Sequence, residues 1–199
     1  MLLVLEYWLK YKGDFMKCNI IIMRHGNAEN SYPDHKRCLT DFGIEQVTEA
    51  AYMLKEHGVN RIHELNVSPY IRAKETALAL QNVIKIEKTV VREDLVPSGN
   101  SHFIVDEIKW TLSDDVAAYR SKFVHADDTL DNETYNCLII SHIPMVNDII
   151  YGLDLYHSNH VIFYEASWVM VDYDQWITNS RVDYMYYSSK ERKVINMCS

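Results

Sequence analysis

Two short runs, Cys18 to Met23 and Cys137 to Ile140, are almost unbroken apolar stretches of strand length, without the in-out alternation of a strand that has one wet face. Strands of that kind must be covered on both sides, so the remaining chain has to supply two helical layers. It does so in alternation. After a polar loop from Gly26 to about Cys38 that contains Pro33, Thr40 reads as an N-cap with Asp41 in the first turn. Ile44, Val47, Ala51 and Leu54 then recur at helical spacing until Gly58. Leu65 to Ser68 is a second short strand, and Ser68-Pro69 predicts a cap with proline at the first helical position, opening a helix to about Asn82. Ile84 to Glu93 is rich in β-branched residues, Leu95 to Asn100 is a Pro/Gly loop, and residues 102–125 predict one or two helices. Ser141-His142-Ile143-Pro144 leads the later apolar run into another helix. Two alternating segments, Phe163 to Asp174 and Arg181 to Ser188, suit outer strands. The expected fold class is α/β: a single-domain three-layer α/β/α sandwich with a mostly parallel central sheet and an antiparallel edge.

No internal repeat, linker or long charge block divides the 199 residues, and a chain of this length can bury roughly 70% of its unfolded surface. At 48% hydrophobic and 24% charged, with 6 Gly and 4 Pro, it is neither disordered nor low in complexity. A net charge of -8 argues against a general nucleic-acid binder or a protein held on anionic membranes, so any anionic ligand must meet a local basic pocket. Cys18, Cys38, Cys137 and Cys198 show no C-x-x-C spacing, which disfavours a zinc framework and reads as reduced thiols; no metal and no coenzyme is expected. The opening Met-Leu-Leu-Val-Leu run is broken by Glu6 and lacks a basic region and a cleavage site. No apolar run approaches the ~20 residues of a spanning helix, which makes the cytoplasm the expected compartment. Residues 1–15 read as an extension ahead of a domain over 16–199, with Met16 a candidate start.

Chemistry gathers at three junctions that follow strands, where ligand crevices of open α/β sheets lie. Arg24-His25-Gly26 follows the first strand, and Gly26 allows a sharp turn and close backbone approach to a ligand; alone, the triplet reads more readily as a solvated loop. Arg72 falls in the first turn of the helix after Ser68-Pro69. A helix start favours anions, so a cation there points to a shared phosphate or carboxylate; a surface arginine or an ion pair to Glu75 are the alternatives. His142 sits where the strand ending at Ile140 gives way to a helix, the place of a core histidine or of a ligand group. Two guanidiniums and two imidazoles around one point describe a phosphate site.

Arg24-His25-Gly26, Leu39-Thr40 with Gly43, Ser68-Pro69 with Arg72-Ala73 and Glu75-Thr76, and Ile140-Ser141-His142 with Pro144 resemble the ordered motif set of the histidine phosphatase superfamily, also called phosphoglycerate mutase-like. The likeness spans about 16 to 190. Arg37-x-Leu39-Thr40, Leu95-Val96-Pro97-Ser98-Gly99 and Ser141-His142-Ile143-Pro144 resemble most the SixA-type phosphohistidine phosphatases, although Cys38 stands where the family commonly has proline.

The resemblance implies a phosphatase in which His25 is the nucleophile, Arg24, Arg72 and His142 bind and stabilise the phosphoryl group, and Arg37 adds a phosphate contact. The expected partner is a phosphohistidine-bearing protein or a small phosphorylated substrate, with neither nucleic acid nor membrane. Relatives acting on alkoxide leaving groups use a Glu from the loop after the second helix, or an Asp directly after the last His. Here Ile143 follows His142, and Glu93 and Asp94 are the remaining carboxylate candidates. An imidazole leaving group needs less protonation than an alkoxide, so the missing acid favours phosphohistidine over sugar phosphates. A phosphomonoesterase or mutase, or a phosphate-binding module without turnover, are the competing readings.

Overall fold

The computed structural model describes residues 17–107, 134–153, 161–173, 181–187 and 193–196, and in the last two segments only the Tyr186 side chain. The elements run β1 (Cys18–Arg24), a single 3-10 turn (Asp34–Lys36), α1 (Asp41–Glu56), β2 (Arg61–Val67), α2 (Ile71–Gln81) and β3 (Lys85–Val91). After a helical segment at 101–107 come β4 (Tyr135–Ser141), α3 (Met145–Leu153), β5 (Trp168–Tyr173), β6 (Arg181–Tyr187) and β7 (Lys193–Asn196).

The apolar runs behave as double-sided strands should. Ile20 and Ile22 of β1 pack toward Met145, Val146, Ile149 and Ile150 of α3, whereas Ile21 and Met23 pack toward Val47, Ala51 and Leu54 of α1 and Ala73 and Leu80 of α2. Each strand residue thus feeds one of two cores, and the three-layer sandwich follows. The sheet order is β3-β2-β4-β1-β5-β6-β7. The first four strands are mutually parallel; β5, β6 and β7 add an antiparallel flank three strands wide, wider than a single edge strand. β6 is therefore internal, and Tyr186 is fully buried and stacks on Trp168 at 5.7 Å.

The central register positions the chemistry. β4 lies between β1 and β2, with Arg24 level with Ser141, and Ile140 level with both Met23 and Val67. The three junctions singled out in the sequence therefore lie side by side at one end of the sheet.

Several boundaries differ from the sequence expectation. β2 begins at Arg61, earlier than expected, because its polar residues are internally satisfied: Glu64 pairs with Lys88 at 2.5 Å and accepts from Asn66 at 2.9 Å, and His63 Nδ1 accepts from the Asn136 amide. α2 begins at Ile71 with Tyr70 as N-cap and no side-chain cap. Ser68 lies two residues ahead of that cap, where its hydroxyl accepts from Tyr70 N at 3.4 Å and also hydrogen-bonds His142. On α1, Thr40 does cap, accepting from Gly43 N, but Ile44 stays 46% exposed and the inward face is Gly43, Gln46, Val47, Ala50, Ala51 and Leu54. β5 starts only at Trp168, since residues 163–167 bend around Arg24. Helix beyond residue 107, the leader over 1–15 with its candidate start Met16, and Cys198 lie outside the described residues. No helix among the described residues is long and apolar enough to cross a membrane.

Gly43 fixes the site loop to α1. A Cβ there would lie 2.1 Å from the Asn27 carbonyl oxygen, a clash with backbone that a rotamer change cannot relieve. Gly43→Ala should cost about 1–3 kcal/mol in urea unfolding and weaken anion binding as well; an unchanged midpoint would show that the loop can retreat freely.

Candidate active site

His25 is seized from every side. Its N–H donates to the Ser141 carbonyl at 3.1 Å and its carbonyl accepts from Ala166 N at 3.0 Å, so the backbone is clamped between the end of β4 and the approach to β5. Ala166 adopts φ 57°, a left-handed conformation that costs a non-glycine residue about 1–2 kcal/mol. In the ring, Nδ1 lies 2.7 Å from the Gly26 carbonyl, which requires Nδ1 to carry the proton. Nε2 is then the lone-pair nitrogen, and it accepts from Arg72 Nε at 3.0 Å. Burial, opposed by the Gly26 hydrogen bond and reinforced by the charges of Arg72 and Arg24, pushes the His25 pKa down to about 3. The imidazole is neutral and oriented, as a nitrogen nucleophile needs.

His142 completes the pair, with ring centroids 4.9 Å from His25 and 4.9 Å from Tyr70. Its Nε2 lies 2.7 Å from the Ser68 hydroxyl. Burial, then His25 and Arg72, hold its pKa at about 2, so it too is neutral. Its Nδ1 is buried with no partner, and it carries the proton in the tautomer in which the Ser68 hydroxyl donates to Nε2. Arg24 Nε is likewise buried without a partner. Buried nitrogens without partners beside a lone-pair nitrogen are groups that an anion would satisfy.

The sequence-predicted residues are brought together, but not all in the expected way. Arg72 is 3% exposed although it opens a helix, and the alternative partner Glu75 accepts from Leu39 N at 2.6 Å instead. Arg24 is anchored from afar: one terminal nitrogen donates to the Phe163 carbonyl at 3.0 Å and the other to Glu165 at 2.9 Å. Gly26, expected to offer its N–H to a ligand, gives it to Thr76 Oγ1 at 3.1 Å; its part is the carbonyl that sets the His25 tautomer. Arg37 is held to its own loop by the Ala28 and Glu29 carbonyls and meets the site through Asp34. Asp94 pairs with Arg92 through Nε at 3.1 Å and NH2 at 2.7 Å, and neither it nor Glu93 hydrogen-bonds to His25, Arg24, Arg72 or His142. Cys38 makes a contact of 3.7 Å to the Lys36 carbonyl and is a free thiol, as are buried Cys18 and Cys137.

Two participants, Asp34 and Glu165, were not singled out in the sequence, and a third, Ser68, was read there as a helix cap. Asp34 lies in the 3-10 turn and accepts from Arg72 through both its carbonyl, at 2.6 Å, and its carboxylate, at 3.1 Å. Glu165 and Ser68 bind Arg24 and His142 across 141 and 74 positions. Only the turn-like Tyr-Pro-Asp sequence before Arg37 hinted at the first, no local pattern marks Glu165, and the local pattern at Ser68 pointed to a cap and not to His142.

Residues 20–96 match the model of the histidine phosphatase superfamily (branch 1). The chain is 30% identical over 158 residues to the phosphohistidine phosphatase SixA homolog of Haemophilus influenzae, covering 75% of this chain and 84% of that protein. In fold it is similar to the protein histidine phosphatase SixA complexed with tungstate, with a TM-score of 0.71 at 22% identity over 85% of this chain and 97% of that one. A putative phosphohistidine phosphatase SixA from Nakamurella multipartitia gives a TM-score of 0.61 at 16% identity, over 87% and 97% of the two chains.

Two buried neutral histidines make stability depend on pH with a definite sign. Unfolded, both protonate near 6.5; folded, they resist down to about 3 and about 2, so below 6.5 the unfolded chain binds more protons. Their contribution is complete above pH ~6.5 and is lost progressively as pH falls toward the folded values. The urea midpoint should drop between pH 7 and pH 4.5, with a shallower drop in His142→Asn; equal slopes for the two proteins would contradict the assignment.

Proposed function

The chain belongs to the histidine phosphatase superfamily, of the SixA type, and from that membership and the site we propose that this hydrolase removes the phosphoryl group from phosphohistidine on a phosphotransfer protein. The observation that carries the reading is the state of His25: neutral, with Nδ1–H bound to the Gly26 carbonyl and the Nε2 lone pair facing the Arg72 guanidinium. In this mechanism Arg72 Nε gives up its hydrogen bond to Nε2 as the phosphoryl group enters, Nε2 attacks phosphorus in line, the P–N bond to the substrate imidazole breaks, and its electron pair stays on the departing nitrogen. Water then attacks phosphorus, the P–Nε2 bond breaks, and inorganic phosphate leaves as His25 recovers its lone pair.

Arg72 and His142 Nδ1–H stabilise charge on the equatorial oxygens, and Arg24 Nε, between its two anchors, supplies a further buried donor. The acid question supports the same substrate class. Asp34, the carboxylate that does reach the site, is held ionised: partial burial raises its pKa, but hydrogen bonds to Arg37 and Arg72 outweigh that and lower it. An ionised carboxylate cannot protonate an alkoxide, whereas an imidazole leaving group does not demand it. Ile143, directly after His142, is 42% exposed and offers no acid.

The test is phosphate release from a histidine-phosphorylated carrier protein beside a panel of phosphomonoesters. Wild type should clear phosphohistidine and turn over monoesters poorly; His25→Ala should lose at least about a thousandfold, and Arg72→Ala or His142→Ala about a hundredfold. Preference for a monoester would instead mark a small-molecule phosphatase, and full activity in His25→Ala would end the covalent mechanism.

A further inference from the structure

Among the described residues, Asp34 takes up more of the site's cationic surface than any other carboxylate. Its Oδ1 accepts from Arg37 NH1 at 3.1 Å, its Oδ2 from Arg72 NH2 at 3.1 Å, and its carbonyl from Arg72 NH1 at 2.6 Å. The two guanidiniums are otherwise fixed. Arg72 Nε is on His25, and Arg37 is tied by Nε and NH2 to the carbonyls of Glu29 and Ala28. The two terminal nitrogens that aim at Asp34 therefore define a bridging place for one planar anion, about a guanidinium's width from the nucleophile. The Asp34 side chain is 53% exposed against 4% for Arg72, so this place opens toward the mouth of the site.

We propose that Asp34 is a specificity-determining residue: its carboxylate occupies, from within the chain, the position a second anionic group of a small phosphorylated ligand would take between Arg72 and Arg37. The proposal rests on the phosphate-site reading above. The charge balance supports it. Arg24 is compensated by Glu165, and Arg72 with Arg37 by Asp34, so three guanidiniums and two carboxylates around neutral imidazoles leave a single net positive charge. Such a pocket suits one isolated phosphoryl group on an otherwise uncharged attachment. A small phosphate carrying a carboxylate or a second phosphoryl meets the fixed Asp34 charge where it would need a cation. Selection against such ligands is then built in by a repulsive element and does not depend on the shape of the crevice alone.

The experiment measures calorimetric binding of inorganic phosphate and of phosphoglycolate, which adds a carboxylate to the phosphoryl group, to the full chain and its variants; no turnover is needed. Wild type should bind phosphoglycolate no better than phosphate. Asp34→Asn, nearly isosteric on an exposed turn, should raise the preference for phosphoglycolate about tenfold or more. Asp34→Ala should act in the same direction, and Arg37→Ala combined with Asp34→Asn should abolish the gain. An unchanged ratio in both Asp34 variants, or an equal weakening of both ligands, would overturn the proposal and leave Asp34 as a mere prop for Arg72. Wild-type protein that bound neither anion would overturn the phosphate-site reading itself.

Discussion

The burial of the Arg72 guanidinium organises the site. A permanent cation at 3% exposure in the first turn of a helix, near the positive end of the helix dipole, is sustainable only if hydrogen-bond acceptors surround it. The chain supplies three: the lone pair of His25, and the carbonyl and carboxylate of Asp34. Meeting that demand brings β1, the 3-10 turn and α2 together, orients the lone-pair nitrogen of His25, and presents a positive surface inside a protein whose net charge is -8.

Around that contact, several motif residues act as carpentry. Thr76 accepts from Gly26 N and donates to the Arg72 carbonyl, tying the nucleophile loop to α2. Glu75 holds the Leu39 amide, Gln46 holds the Asn27 amide, and Gly43 clears the space into which the Asn27 carbonyl presses. The histidine tautomer, and with it the chemistry, depends on the Gly26 carbonyl staying where these contacts put it. Neutral imidazoles and compensated guanidiniums give a site whose positive potential comes from a few directed N–H groups, which favours a small, specifically placed anion over bulk polyanions.

Much of this was readable in residues of local meaning. Thr40 and Gly58 marked the two ends of α1, and the unbroken run around Ile20–Met23 marked a strand covered on both faces, because caps and periodicity are properties of neighbouring residues. The start of β2 was missed because His63 and Glu64 look like surface residues until Asn136 and Lys88 arrive from other strands to satisfy them. Ser68 reads as a cap because its hydroxyl has a local use, the Tyr70 amide, and the closer contact to His142 across 74 positions leaves no trace in the sequence.

The amino-acid sequence by itself determined the alternation of strands and helices and the ordered placing of His25, Arg72 and His142 just beyond strands, since these follow from spacing along one chain. The tertiary structure decided which charges cancel. Asp34 against Arg72 and Arg37, and Glu165 against Arg24, are pairings across 38, 3 and 141 positions, and the longer two exist only because β4 inserts between β1 and β2 and the segment before β5 folds back over Arg24. Hydrogen bonds form between atoms that are near in space, and nearness across such separations is a product of the assembled sheet.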